Sequence, residues 1–395
     1  MKFGVSKEQR ALLLLSRLFL DESDEKSIVD AVESIEDINS LTRLATSRLC
    51  LPLVYKNLQS IFKGSLHSTT DLKDAREKTA LMRVLSLQVR SEMVEFHSNC
   101  IAPFSIDHVY FKGPALEDRY YTDKGIRLSR DIDVLIRKEA MEFVVRTAMA
   151  HGYRVKTMDN AEPTVPDEGQ IRALLRYDKV VTLVSKIGIL IEVHTELDQQ
   201  VGLFSAHDFI IGGEDLDFEG HNIRVLNTTH LFCYVCFHNS RHLWSRLHWL
   251  SDLDAIMSHP SYNETKVQEF SKNIGVSSTV VATQKFAKLA GCHDICKPSS
   301  IDEKHAIDLL KMCSITLSRG PDEELRLRKK YNIFGLPFFW MIDRGFRLKA
   351  LAHTLRSRIK PSYYQYDLYP VPDYLQFFYV PSKPIFWLLR RFYFR

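Results

Sequence analysis

The chain of 395 residues is 45% hydrophobic and 26% charged, with a formal net charge of +4. That length holds two or three domains, and the balance of apolar and charged residues is that of a globular protein rather than a disordered one. So small a positive excess argues against a dedicated nucleic-acid binder, in which basic residues cluster.

The stretch MKFGVSKEQRALLLLSRLFL has a short apolar run with acidic residues close behind, so it lacks the pattern of a secretory signal. Residues 12–20 read as one helix face within a helical region expected over 1–100. No stretch approaches the roughly 20 apolar residues needed to span a bilayer. The seven cysteines, Cys50, Cys100, Cys233, Cys236, Cys292, Cys296 and Cys313, are odd in number and lack a disulfide-framework spacing, which points to a reducing cytoplasm.

Residues 109–111 read as a short strand that ends at Lys112 and Gly113, followed by a helix with Pro114 at its first position, where proline is well tolerated. A strand, a glycine turn and a helix start can hold a phosphate on outward-pointing backbone N–H groups, and Lys112 adds a mobile positive charge. Asp131 and Asp133 follow in the run DIDVLI. Positions i and i+2 of a strand share a face, so both carboxylates aim at one point, and facing anions on a rigid strand suit Mg²⁺ between them. Taken alone, the pair is also read as Asp131 capping the next element and Asp133 pairing with Arg127, Arg130 or Arg137.

The interval 159–170, with Pro163, Pro166 and Gly169, reads as a loop. In IGILIEVHTEL, residues 187–197, Glu192 and His194 stand at i and i+2 of an apolar strand. If this strand pairs beside the Asp131 strand with Glu192 on the same face, three carboxylates surround one site, as a two-metal phosphoryl-transfer centre requires. A surface carboxylate on a half-exposed strand is the alternative reading of Glu192.

Residues 231–257 carry two helical patterns rich in His and Trp, with Asp252 and Asp254 near the end. His238 and His242 share a helix face at i and i+4, yet no Glu follows the first His as in a zinc protease. The spacings Cys233-x2-Cys236 and Cys292-x3-Cys296 read as core. Helical patterns continue over 267–274, 279–290 and 301–317. Beyond Pro321, basic aromatic runs suggest either peripheral contact with an anionic membrane through the C-terminal tail or, preferred here, helices docked by their apolar faces with the arginines in solvent.

The order KG, RxxxDID, IEVH and H-x3-H with RLHWLSDLDAI resembles the uncharacterised nucleotidyltransferase family of bacteria, a branch of the DNA polymerase β-type nucleotidyltransferase superfamily. The resemblance spans about residues 41–257, and RLATSRLCLPLVYKNL looks like the family's helical lead-in. It implies an α+β fold: a polymerase β-like core over 101–226, a mixed sheet flanked by helices, between helical regions at 1–100 and 227–395. Gly113 is then the turn glycine, and Asp131, Asp133 and Glu192 are the catalytic carboxylates and ligands of Mg²⁺ or Mn²⁺, with Glu192 also able to act as base. Lys112, Gly113 and Arg127 would meet the phosphates of a nucleoside triphosphate, with neutralisation of Asp131 as the alternative reading of Arg127, and His194, His238, His242 and Asp252 would orient substrate or brace the site.

The resemblance implies transfer of a nucleoside monophosphate to a hydroxyl acceptor, with pyrophosphate released. The acceptor, whether small molecule, sugar or protein, is not legible, and nucleic acid is not expected. One departure stands out: many superfamily members carry a serine after the turn glycine, whereas Pro114 offers neither a side-chain nor an amide donor. That departure favours one competing reading, a catalytically silent nucleotide-binding or interaction protein; the histidines His194, His238 and His242 offer another, a zinc hydrolase.

Overall fold

The computed structural model describes residues 6–35, 37–62, 72–157, 162–198, 201–290, 297–320, 322–330, 336–383 and 385. Cys292, Cys296 and residues 386–395 of the basic aromatic tail lie outside them. The chain divides into two units whose segments alternate along the sequence. A helical unit takes Met1–Arg90, Gly113–Arg130 and Asn227–Arg347, and a sheet unit takes Ser91–Lys112, Asp131–Leu226 and Leu348–Arg395. Residues 113–130, expected within the core, thus belong with the helices, and 348–395, expected with the helices, belong with the sheet.

The sheet unit has strands β1 (His108–Tyr110), β2 (Asp131–Ile136), β3 (Arg154–Lys156), β4 (Val180–Val184), β5 (Leu190–His194), β6 (Gly213–Phe218) and β7 (His221–Leu226). They form one mixed sheet in the order β3-β4-β5-β2-β1-β7-β6, in which β2 pairs parallel with β5 and antiparallel with β1. The central position of β2 explains why all its residues after Asp131 are buried. On β4 and β5 burial follows the two-residue period: Val181, Leu183, Ile191 and Val193 are buried, and Thr182 and Glu192 on the other face are half-buried.

The helix Met141–Ala150 packs on β4 and buries Met141, Val144, Val145 and Ala148, an i, i+3, i+4, i+7 stripe. The helix Ala206–Ile211 packs against β1 and β2. β6 and β7 are joined through Glu219 and Gly220, both at positive φ (53° and 81°), the turn whose twist suits a two-residue hairpin.

In the helical unit Trp244 is fully buried with its ring 4.9 Å from that of Phe286, and Phe232, Phe237, Leu12 and Leu13 are also fully buried. Two expectations change here and in the sheet unit. The run 12–20 is not one helix face: the helix Lys7–Leu15 buries Leu12, Leu13, Leu14 and Leu15 on all sides and stops at Ser16. Beyond it Asp254 takes the Arg17 guanidinium at 2.7 and 2.8 Å and the Leu18 amide at 2.9 Å, contacts that replace another helical turn.

Of the loop expected over 159–170, residues 159–161 lie outside the described ones, and the rest is not all loop. Thr164 bridges to Val155, and Asp167 caps the helix Glu168–Tyr177 through a reciprocal contact with Gln170. No described helix is long and apolar enough to cross a membrane.

Candidate metal and nucleotide site

The parallel register of β2 and β5 sets Asp133 opposite Glu192 and Leu135 opposite His194. Residues two apart share a face, so Asp131, Asp133, Glu192 and His194 all project from the same side of the sheet. One ligand atom each from Asp133, Glu192 and His194 lies within 4.8 Å of the others, and no other such group of three occurs among the described residues.

His194 Nε2 stands 3.2 Å from Asp133 Oδ1 and 3.3 Å from Glu192 Oε2. From the edge of β1, Lys112 Nζ reaches the same Asp133 oxygen at 3.2 Å. Phe111, whose amide donates to the Asp133 carbonyl at 3.4 Å, sets its ring edge-on to His194 at 5.1 Å between centroids and lies under the Lys112 ammonium at 5.2 Å. The Asp133 side chain is 2% exposed and that of Glu192 34%, so the cluster is closed at its base and opens to solvent on the Glu192 side.

The charges follow from this geometry. Burial disfavours charge on Asp133, yet the Lys112 ammonium and the His194 hydrogen bond outweigh it and hold the carboxyl well below the usual range. Burial likewise works against protonated His194, and its contacts with Asp133 and Glu192 prevail and raise its pKa. Two carboxylates therefore face one point, and the Lys112 ammonium and the His194 ring are the groups that contact them there. That donor set fits a divalent cation: hard carboxylate oxygens with one imidazole converge, and the balancing Lys112 ammonium is partly exposed and able to yield its place.

Asp131 opens β2 half-buried on the same face and stands outside the converging triplet, which thus differs by one member from Asp131, Asp133 and Glu192. Neither Arg127 nor Arg137, two of the three arginines the sequence offers as partners of Asp133, serves it: Arg137 pairs with Asp107 at 2.8 Å, and Arg127 is spent elsewhere. His194 was legible from its i+2 spacing to Glu192, though as an orienting residue rather than a member of the cluster. The Lys112 contact carries no local signal, because it depends on β1 pairing with β2.

The remaining candidates lie in the helical unit. Gly113 adopts φ +58°, the left-handed region that favours glycine, and opens the helix Gly113–Tyr120 with Pro114 next. Arg127 is buried and forks onto Asp252, with Nε 2.6 Å from Oδ1 and Nη2 3.0 Å from Oδ2. Its Nη1 donates to Ser129 Oγ at 2.9 Å and to the Gly113 carbonyl at 3.4 Å, and the Tyr121 hydroxyl donates to Asp252 at 2.8 Å. Arg127 is thus committed to Asp252, Ser129 and the Gly113 carbonyl, and Asp252 to Arg127 and Tyr121.

His238 and His242 sit on and just beyond the helix Thr228–Arg241, with ring centroids 4.6 Å apart. His242 Nδ1 donates to Glu324 Oε1 at 2.7 Å, and His238 Nδ1 is 3.2 Å from the Tyr234 hydroxyl. Neither belongs to the converging triplet. Cys233 and Cys236 are fully buried in the core of the same helix.

The family model of the uncharacterised nucleotidyltransferases matches residues 34–289, more than half of the chain. Among solved structures the chain is similar to an antigenic nucleotidyltransferase-like protein from Paracoccidioides brasiliensis, at 12% identity and a TM-score of 0.26, over 53% of this chain and 89% of that one. No curated protein matches significantly. The matched span contains the whole cluster of Asp133, Glu192 and His194 as well as Lys112 and Gly113, and the chain belongs to the uncharacterised nucleotidyltransferase family.

Proposed function

We propose that the protein moves a nucleoside monophosphate from a nucleoside triphosphate to a hydroxyl acceptor, using Mg²⁺ or Mn²⁺ held by Asp133 and Glu192 with Asp131 at the rim. The observation that carries this reading is the convergence of Asp133, Glu192 and His194 at one point inside the family's span. When bound, the cation neutralises phosphate charge and polarises the reacting phosphoryl group.

The side chains divide the remaining work. Lys112, partly exposed, can leave Asp133 for a phosphate oxygen and so supplies the contact that Pro114 cannot make. Glu192, the more open carboxylate, accepts the proton of the acceptor hydroxyl. His194, whose Nε2 lies within reach of both carboxylates, fixes their orientation. The acceptor oxygen bonds to the α-phosphorus, the bond to the β-phosphate breaks, and pyrophosphate leaves; such a displacement needs positioning and charge neutralisation more than covalent help.

Arg127 and Asp252 act through the Gly113 carbonyl rather than on substrate. The five described cysteines are free and buried, which fits a reducing cytoplasm. Pro114 favours a second reading, a member that binds nucleotide without transferring it.

A panel of labelled nucleoside triphosphates incubated with the protein and cell extract tests the proposal. Label entering one fraction, lost with Asp133→Ala, supports transfer. Metal-dependent nucleotide binding without pyrophosphate release supports the silent reading.

A further inference from the structure

We propose that the helix Arg347–Ile359 docks the protein on an anionic lipid surface. It seats itself through Ala350 and Thr354, which are buried. At about 3.6 residues per turn, Leu348, Ala352, Leu355 and Ile359 fall on a single stripe opposite those two. That stripe is bare: Leu348 is 79% exposed, Leu355 46% and Ile359 58%. The expectation that the basic aromatic helices dock by their apolar faces is therefore reversed for this one, which buries two small residues and shows its large ones.

Charge borders the stripe on both sides. Lys349, Arg356 and Lys360 lie along one flank and Arg358 along the other, all exposed, and residues 347–360 contain no acidic residue. None of these four side chains has an acidic partner among the described residues. An apolar stripe with cationic flanks and no counter-charge is complementary to a bilayer interface, where phosphate headgroups meet the bases and acyl chains take the leucines.

The rest of the C-terminal segment is anchored in the same unit while its aromatics stay outside. A Cβ at Gly202 would lie 2.4 Å from the His353 ring, so the helix rests tightly on that turn. Gln376 accepts from Arg176 at 2.7 Å and Tyr177 at 2.5 Å, and the Lys383 ammonium donates to the Lys360 carbonyl. Around these contacts Tyr369 and Tyr374, of the type that sits at headgroup level, are exposed together with Phe377 and Phe378, which suit the apolar side of an interface. This inference does not rest on the nucleotidyl-transfer reading.

Co-sedimentation of the full chain with phosphatidylcholine vesicles, and with vesicles in which about a third of the lipid is phosphatidylserine, tests it. Wild type pellets with the anionic vesicles only, and added salt releases it. Leu355→Glu with Ile359→Glu, and separately Arg356→Glu with Arg358→Glu, each weaken binding at least about tenfold at an unchanged melting temperature, because all four positions are exposed. Wild type that stays in the supernatant, binding insensitive to salt, or variants that pellet as well as wild type overturns the proposal. So does a dimer dissociated by Leu355→Glu in a protein that ignores vesicles, which would assign the stripe to a second copy of the chain.

Discussion

Lys112 and Asp133, 21 residues apart in sequence, meet at 3.2 Å where β1 and β2 run side by side. The ammonium and His194 Nε2 share one oxygen, Oδ1, of the buried carboxylate. Lysine and divalent cation are thus rivals for one oxygen.

Lys112→Ala leaves the buried Asp133 charge with His194 alone and costs on the order of 2 kcal/mol of stability, discounted because Lys112 is partly exposed. Millimolar Mn²⁺ restores more stability to this variant than it adds to wild type, since the competitor for Asp133 is gone. Denaturant melts with and without metal measure both effects. An equal metal response in the two proteins counts against a cation at Asp133.

For the pair of Arg127 and Asp252 the expected loss is larger. Asp252→Ala strands a buried guanidinium and costs about 3–5 kcal/mol, whereas Arg127→Met combined with Asp252→Leu recovers most of that loss. Chemical denaturation of the single and double variants reads the difference. If Arg127→Met instead leaves stability intact and abolishes nucleotide binding, the residue is a phosphate ligand and not a brace.

How much of this was legible in the sequence depends on how far apart the partners lie. The shared face of Asp131 and Asp133, and of Glu192 and His194, follows from strand period alone. The register that sets Asp133 against Glu192 comes from a nonlocal parallel pairing, and the sequence offers it only as a condition. Arg127 invites a phosphate in sequence because Asp252 is 125 residues away. The run 12–20 misleads for the same reason: Asp254, which captures Arg17 and Leu18, is invisible from the local pattern. The exposed stripe of the helix Arg347–Ile359 has the spacing of a core-facing stripe, and only the fold reveals that the opposite side is seated.

Acid destabilises the helical unit in two stages. Burial pushes His242 down from 6.5 to about 4, so the unfolded chain takes the proton first; its contribution is whole above pH 6.5 and is lost as pH falls toward 4. Burial opposes charge on Glu324, but His242, Ser245 and Arg328 hold it at about 2 against an ordinary 4.5, and that contribution is whole above pH 4.5 and lost as pH falls toward 2. The upper stage is on the order of 3 kcal/mol. His242→Gln should flatten stability between pH 6.5 and 4 and also shrink the lower stage, because His242 is the first of the groups that hold Glu324 down; an unchanged profile would assign the upper stage to another group.

Gly113→Ala tests the turn between Lys112 and the helix Gly113–Tyr120. At φ +58° an added Cβ costs roughly 1–2 kcal/mol. The strain displaces Lys112, so nucleotide affinity falls more than stability alone explains. Measuring affinity well below the melting temperature separates the two, and full affinity in a destabilised variant removes the turn from the site.

Calorimetric titration of nucleoside triphosphate with Mn²⁺ into wild type and into a protein carrying Asp133→Asn and Glu192→Gln tests the central claim most directly. Wild type should bind only when metal is present, and the double variant should lose that binding by about a hundredfold or more. Equal, metal-independent binding by both proteins would contradict a metal and nucleotide site at Asp133, Glu192 and His194.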